Sequence, residues 1–299
     1  MKKITIGIPR ALYYYRYGIL WKNFFSNLGC HVIVSPETNQ EIIDIGVNNS
    51  TKKTCLPYTI FLGHAIYLSK RCDYLLLPRV GDYNKNDKVC PRHSEICDYI
   101  RSIISKKQIL NLNINHKKYY YQPLELFRIA LRITINPIKI IYSYLKASKK
   151  QKYYNITKQN EQKNKLLKPN KKVLIVSQFY NTEDSYFINK ITKYLEKENI
   201  IFLYSNQMEF NVTRPFSEYL GYSIPWKHWQ EMVGAIYYYK YQIDGIIILS
   251  IDDCPINKLI IPLVINKNKE TPTLEICTTE ISNKQMVEDK LKSFINKIN

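Results

Sequence analysis

Short apolar runs alternate with helical patterns along this chain, and this alternation restricts the fold more than any other feature. Residues 3–9 form an apolar, β-branched run that ends at Pro9, and residues 30–34 form another. A helical pattern over Tyr13–Leu28 separates them, and Gly29 closes that helix. Because strands joined by helices form parallel sheets, the first half predicts an α/β unit.

The second half of the chain repeats this order. Strands are predicted over 172–176 and 199–204, with a helix over Glu183–Glu196 between them. An aspartate followed by a buried apolar run occurs once in each half, at Asp73 and at Asp244. The repetition predicts an α/β fold of two Rossmann-like, parallel-sheet lobes that face a cleft, with a helical basic linker between them.

The lobes are predicted over 1–105 and 170–299, with the linker over 106–169. Apolar residues at helical spacing predict a helix over Pro123–Leu145, kinked at its internal proline. Residues 148–170 are rich in lysine, glutamine and asparagine. They are interpreted as a flexible linker or an exposed helix.

The net charge of +19 is concentrated in one segment. Residues 101–172 hold 18 of the 44 lysine and arginine residues but only Glu125 and Glu161 among the acidic ones, a local charge of +16. The favoured interpretation is a helical arm with a solvated lysine face, and the alternatives are a membrane surface or an acidic partner. Nucleic-acid binding is disfavoured, because the charge is confined to one segment and no recognised binding module accompanies it.

Several classes of protein are disfavoured by the sequence. It contains no run of about 18 apolar residues that would span a membrane and no secretory signal. Its seven cysteines form no short disulfide framework, so a reducing cytoplasm is the expected location. No phosphate-cradling glycine motif occurs, and ATP hydrolysis by this chain is therefore not expected.

Three cysteines are each followed closely by proline, where strands are predicted to end: Cys55, Cys90 and Cys254. Ligands of open α/β sheets bind at the carboxyl ends of the strands. Cysteine thiolate is a preferred ligand of iron–sulfur clusters and of zinc. The three cysteines therefore predict a metal site. The alternative is that they are buried small hydrophobic residues, which is common for cysteine outside disulfides.

Zinc is the competing metal. Cys90 and His93 have Cys-x-x-His spacing, so that Cys55, Cys90, His93 and Cys254 would make a tetrahedral site of three cysteines and one histidine. Structural zinc sites usually use two closely spaced pairs, and a cluster with one open iron fits three cysteines better. Cys277 is a weak further candidate. The remaining cysteines are assigned to core packing: Cys30, Cys72 and Cys97.

Basic and polar residues are predicted at the same edge of the sheet. Arg10 follows the first strand, Arg79 follows the strand over Cys72–Pro78, Asn39 ends a loop, and His64 follows the first of the three cysteines. Arginines there would bind an anionic substrate or a phosphate. Pairing with carboxylates across the lobes is the alternative for each of them.

Five segments are similar to a known family. They are Ile-Gly-Ile-Pro-Arg-Ala-Leu-Tyr-Tyr-Tyr (6–15), Val-Ser-Pro-Glu-Thr-Asn (34–39), Cys-Leu-Pro (55–57), Asp-Tyr-Leu-Leu-Leu-Pro-Arg (73–79) and Val-Cys-Pro (89–91). These motifs resemble the 2-hydroxyacyl-CoA dehydratase superfamily, and in particular its activase-related branch, long catalogued as a domain of unknown function. The resemblance covers nearly the whole chain. It is dense over 1–100 and looser over 170–299.

The resemblance implies a 4Fe-4S cluster bound between the lobes by Cys55, Cys90 and Cys254. In characterised dehydratase relatives one iron stays open for the substrate, and a separate ATP-hydrolysing activase, itself an iron–sulfur protein, supplies one low-potential electron. The thioester is reduced to a ketyl radical, and the hydroxyl group leaves. The resemblance thus implies an oxygen-sensitive protein of anaerobic chemistry. It would be a dehydratase-like lyase or a low-potential reductase component that delivers electrons to an acyl-CoA-like substrate.

The third cysteine departs from the family pattern. Relatives often carry Cys-Gly-Pro-Asp there, whereas this chain has Cys254-Pro255-Ile256-Asn257. The missing glycine removes a close approach of the backbone. The alternative function is a non-catalytic partner or assembly protein that holds a cluster or a zinc ion and docks through its basic arm.

Overall fold

The computed structural model describes residues 3–51, 54–82, 87–114 and 121–298. They form two compact units, which divide between Asn155 and Ile156. Each unit contains one parallel sheet of four strands. None of the helices in these ranges is both long enough and apolar enough to cross a bilayer.

The first unit has the strand order β2-β1-β3-β4. Its strands are β1 (Thr5–Ile8), β2 (His31–Val34), β3 (Tyr74–Val80) and β4 (Ile109–Ile114). Its helices are α1 (Tyr14–Asn27), α2 (Gln40–Asn48), α3 (Leu56–Ser69), α4 (Arg92–Ile103), a 3-10 turn (Lys106–Gln108), α5 (Tyr121–Ala130) and the first part of α6 (Pro137–Leu166).

The second unit has the strand order β6-β5-β7-β8. Its strands are β5 (Lys172–Val176), β6 (Ile201–Tyr204), β7 (Gly245–Ser250) and β8 (Thr273–Cys277). Its helices, besides the end of α6, are α7 (Phe179–Thr182), α8 (Ser185–Lys197), α9 (Phe210–Thr213), α10 (Lys227–Tyr239), α11 (Pro255–Lys267), α12 (Lys284–Ile298) and 3-10 helices over Arg214–Leu220 and Glu280–Ser282.

The two sheets share one topology, since in each the first strand of the unit lies between the second and the third. The repeat extends to single hydrogen bonds. Asp73 accepts a hydrogen bond from the backbone N–H of Thr5 at 2.7 Å, and Asp244 accepts one from Lys172 at 2.8 Å. In both units, the aspartate before the third strand thus holds the start of the first. The predicted α/β fold of two parallel-sheet lobes is confirmed.

Strand β4 lies within the segment that was assigned to the helical linker. Its sequence alternates apolar residues with asparagine, the period of a half-buried strand. It pairs with β3 from Leu75 opposite Ile109 to Val80 opposite Ile114. This strand was missed because the whole segment was assigned to the linker from its positive charge.

The helix predicted over Pro123–Leu145 is in fact two helices. Helix α5 ends at Ala130, and Pro137 begins α6 instead of kinking a continuous helix. Proline suits the first turn of a helix, where its missing N–H would have no intrahelical partner. The Asn136 side chain caps α6 by accepting a hydrogen bond from the Lys139 N–H at 3.0 Å. Of the two interpretations of 148–170, the helix holds as far as Leu166.

The end of α6 covers the edge strand of the second sheet. The buried Gln162 side chain accepts a hydrogen bond from the Tyr204 N–H at 2.9 Å and donates one to the Tyr204 carbonyl at 2.6 Å. One helical turn later, Lys165 donates to the Phe202 carbonyl at 3.2 Å. Strand β6 therefore has hydrogen-bond partners on its outer side as well, from side chains instead of a fifth strand.

Candidate functional site

Each of the three predicted ligands immediately precedes a helix or the cap of one. Cys55 is the N-cap residue of α3, and Cys254 is the N-cap residue of α11. Cys90 comes one residue before Pro91, which caps α4. Negative charge is stabilised near a helix N-terminus, so these positions favour an anionic sulfur ligand.

The prediction that a strand ends beside each cysteine was wrong for Cys55. This residue lies in the connection between α2 and α3, and the proline after it falls in the first turn of α3. A proline shortly after a cysteine marks a helix start as readily as a strand end. Cys254 fits the prediction better, because it follows β7 after a turn over Ile251–Asp253.

Cys55 and Cys90 belong to the first unit, and Cys254 belongs to the second. In the first unit, the starts of α3 and α4 lie near each other. Burial, and next the negative charge of Glu95 on α4, raise the pKa of Tyr58 on α3 to about 12, and Cys55 adds to the effect. Across the described ranges, no three side chains of His, Cys, Asp or Glu are grouped closely enough to hold one metal ion.

The other cysteines have the character of packing residues. Burial raises the thiol pKa of Cys30, Cys72, Cys97 and Cys277, to about 11 for Cys72 and about 12 for Cys97. The Cys97 thiol donates to the Pro78 carbonyl at 3.4 Å. Neutral buried thiols are poor metal ligands. Cys72 and Cys277 are, however, partly exposed, as are Cys55, Cys90 and Cys254. What sets the last three apart is their place at helix starts, where the negative charge of a thiolate would be stabilised.

The zinc alternative requires His93 as a ligand. Its ring is buried and lies edge-on to the Tyr13 ring, with 5.2 Å between the centroids. This is the contact of a histidine packed in a core.

Polar side chains gather around Arg10 at the carboxyl ends of β1 and β2, and we call this group the Arg10 cluster. The Arg10 N–H donates to the hydroxyl of the buried Ser35 at 2.8 Å. The Arg10 guanidinium lies 3.5 Å from a carboxylate oxygen of Glu37. Asn39 serves as the N-cap of α2, since its side chain accepts a hydrogen bond from the Ile42 N–H at 3.1 Å.

His64 belongs to the same cluster and is completely buried. Its Nε2 atom is 3.1 Å from the Thr38 hydroxyl. Burial, and next the positive charge of Arg10, lower the pKa of His64 to about 3, so the imidazole is neutral. Within the described part of the chain, His64 Nδ1 and Arg10 Nε are buried without a hydrogen-bond partner. The Arg10 cluster thus contains two unsatisfied polar atoms.

Two glycines bring the backbones of α2 and α3 into contact next to His64. A Cβ atom on Gly63 would overlap the Ile42 carbonyl oxygen, and one on Gly46 would overlap that of Thr59. Only glycine permits this approach. The contact places His64, the next residue of α3, against the loop before α2.

The loop that carries Arg10 is strained. Leu12 has a φ of 47°, a left-handed conformation that is costly for a branched side chain. Such residues persist where the surrounding structure fixes them, and they concentrate at functional sites.

A comparison with protein families matches residues 5–208 to the CoA enzyme activase uncharacterised domain (DUF2229). The chain belongs to this family. The match includes Cys55, Cys90 and the Arg10 cluster, and it ends before Cys254. The resemblance to the activase-related branch is therefore confirmed. A comparison with curated proteins finds no significant match.

Arg79 occupies a different position in this activase-family domain from the predicted one. It lies inside β3 instead of after it, and its guanidinium pairs with Asp98 of α4 at 3.2 Å. Both side chains are partly exposed to solvent, Arg79 to 41% and Asp98 to 53%. Its observed partner is a carboxylate of the same unit, whereas the alternative interpretation had a carboxylate across the lobes.

The second unit of this family member holds a polar cluster that the sequence analysis missed. Ser177 donates to the Leu249 carbonyl at 2.7 Å, and Asn181 donates to the Ser177 hydroxyl at 3.0 Å. Gln178 lies 3.5 Å from Asn257, which is in the first turn of α11 after Cys254. The signal was present, because Ser177 and Gln178 directly follow a buried strand. This cluster of the second unit is neutral, unlike the Arg10 cluster of the first unit.

Proposed function

We propose that the chain is a 4Fe-4S protein that acts with an ATP-hydrolysing activase in the one-electron reduction of an acyl-CoA-like substrate, by radical dehydration or by electron delivery. The observation that carries this proposal is the contrast among the cysteines. Cys55, Cys90 and Cys254 each lie at the start of a helix, whereas Cys97 lies inside α4 and the other three cysteines lie within two residues of a strand.

Cys55, Cys90 and Cys254 are the residues that would hold the cluster. When bound, such a cluster supplies low-potential one-electron chemistry. The helix N-termini beside the three cysteines would offset the negative charge of the thiolates. Cys55 and Cys90 lie in the first unit and Cys254 lies in the second, so the whole chain would be needed to supply this ligand set.

Arg10 is the residue we assign to substrate binding. Its side chain is partly exposed and carries an Nε atom without a partner in the described ranges, so it can donate to a carboxylate or phosphate oxygen. Glu37 lies 3.5 Å away and would compete with an anionic group for this guanidinium. Neutral His64 would orient the Thr38 hydroxyl. It would not serve as a proton acceptor near neutral pH, because burial holds its pKa at about 3.

The test is the metal content of the protein after strictly anaerobic purification, together with an electron paramagnetic resonance spectrum of the reduced protein. About four iron and four sulfide ions per chain and a cubane signal are expected. Zinc in place of iron would support the role of a non-catalytic, metal-holding partner. A protein without bound metal under these conditions would refute cluster binding.

The activase step has its own assay. Electron transfer from an ATP-hydrolysing iron–sulfur activase should bleach the visible absorbance of the oxidised cluster only when ATP is present. If the protein holds its cluster but accepts no electron from an activase, the proposed redox role is wrong and cluster binding still stands.

A further inference from the structure

One side of helix α6 packs on the first unit, and this side combines apolar and polar residues. Its buried residues there recur at helical spacing: Ile140, Ser143, Ala147 and Gln151. The Gln151 side chain accepts a hydrogen bond from the Leu20 N–H of α1 at 2.9 Å. Asn27 of α1 donates to the Ser143 carbonyl at 3.3 Å. These hydrogen bonds fix the rotation of α6 about its axis.

The opposite side of α6 is apolar and faces solvent. Ile138, Ile141, Tyr142 and Leu145 are each more than half exposed. Leu131 and Ile135 extend this surface into the preceding turn, where Ile135 is 91% exposed. We call these six residues the apolar patch. An amphipathic helix normally buries its apolar side, and a contiguous exposed apolar surface commonly marks an interaction site.

The charge around the apolar patch has one sign. No aspartate or glutamate occurs between Glu125 and Glu161. Four of the exposed lysines of the same stretch form what we call the lysine rim: Lys139, Lys146, Lys149 and Lys152. The Lys146 ammonium lies 5.8 Å from the centre of the Tyr142 ring, so the rim directly adjoins the patch.

We infer that the apolar patch and the lysine rim dock on an anionic lipid bilayer. The patch lies on the outer side of a helix and on its first turn, a convex shape that can enter the boundary between lipid headgroups and acyl chains. Lysine stems can lie along apolar surface while their ammonium groups reach lipid phosphates. A second copy of this chain is a poor occupant, because a symmetric contact would bring two lysine rims together.

A protein partner would need an apolar groove bordered by carboxylates along the whole length of this surface. A bilayer supplies apolar acyl chains and anionic headgroups across its whole surface, so no matching groove is required. The described helices include none that can cross a membrane, so the inferred attachment is to the surface alone.

The test is flotation of the full chain with vesicles of phosphatidylcholine, with and without about 30% phosphatidylglycerol. We expect binding to the anionic vesicles that weakens as salt is added. The triple variant Ile138→Ser, Ile141→Ser, Leu145→Ser should lose at least about tenfold in partitioning. The double variant Lys149→Gln, Lys152→Gln should lose about fivefold per lysine. The matched control is Tyr241→Ser, which alters an exposed ring of the second unit and should bind like the unchanged chain.

Three results would overturn the inference. The first is no binding to the anionic vesicles. The second is equal binding by the triple serine variant, which would leave only nonspecific attraction by lysines. The third is a saturable complex with an acidic protein through the same patch, without vesicle binding. Thermal unfolding of each variant separates lost docking from lost folding, because the altered side chains are exposed. Metal content is measured separately, so failure here leaves the cluster proposal untouched.

Discussion

The Nε2 atom of His64 lies 3.1 Å from the Thr38 hydroxyl, in a fully buried site next to Arg10. The contact ties the middle of α3 to the loop before α2. Burial, and next the positive charge of Arg10, take the pKa of His64 below the range in which histidines usually titrate.

Acid should destabilise the chain through His64. Burial lowers the pKa of His64 to about 3 in the folded state, whereas an unfolded histidine has a value near 6.5. Below about pH 6.5 the unfolded state gains a proton that the folded state refuses, so stability falls as the pH falls towards 3. The expected loss is roughly 1.4 kcal/mol per pH unit in that window.

This pH dependence is measured by urea unfolding at about pH 7.5 and about pH 5. The variant His64→Gln should be less stable overall but should show a smaller difference between the two pH values. The matched control is His31→Gln, at an exposed histidine. An unchanged slope in the His64 variant would show that other groups cause the acid sensitivity.

Serine substitutions test the ligand set. Cys55→Ser, Cys90→Ser and Cys254→Ser should each lower the iron content from about four per chain to below about one, since a hydroxyl is a poor ligand for a cluster. Cys277→Ser is the matched control. Its sulfur is also partly exposed, but it lies 3.3 Å from the Ser250 hydroxyl and should leave iron unchanged. Full iron in Cys55→Ser would reject the assignment.

Alanine at Gly63 should destabilise the first unit by about 1–3 kcal/mol or more. The added methyl group would overlap the Ile42 carbonyl oxygen, a backbone atom that cannot rotate away. Denaturant unfolding would measure the effect, with Gly81→Ala as the control, because a Cβ there meets no atom within 4 Å. A neutral Gly63→Ala would mean that α2 and α3 can separate at little cost.

Leucine at Gln162 should destabilise the second unit by roughly 2–4 kcal/mol. The change removes both hydrogen bonds to Tyr204 and a third to the Tyr239 hydroxyl at 3.2 Å. Asn160→Leu, at an exposed position of the same helix, is the control and should be nearly neutral. If both variants unfold alike, the hydrogen bonds of Gln162 contribute little.

Most of the fold was predictable because its central strands are short apolar runs at a clear period. Strand β5 was predicted at its exact bounds, and β3 was placed within two residues. Strand β4 was missed because its alternation of apolar and polar residues lies in a lysine-rich segment, which was assigned to the linker from its charge. The start of α6 at Pro137 was missed because a proline inside an apolar pattern predicts a kink as readily as a new helix.

The candidate site was only partly predictable. The sequence placed Arg10 after the first strand, and the structure has it two residues beyond the end of β1. The sequence also placed His64 at that edge, but this residue lies in the middle of α3, where the order of the strands does not fix its position. It could not show that Asn39 caps a helix, nor that Arg79 pairs with Asp98. Side-chain partners depend on three-dimensional distances, which residue spacing does not contain.

The covering of β6 by Gln162 and Lys165 has a consequence for the solubility of the chain. A bare edge strand offers its unpaired backbone groups to any other extended chain, and this is a common route to aggregation. Here the amide of Gln162 and the ammonium of Lys165 occupy those groups on Tyr204 and Phe202. When the end of α6 frays, β6 becomes a template for a foreign strand, so the helix protects the protein from its own copies.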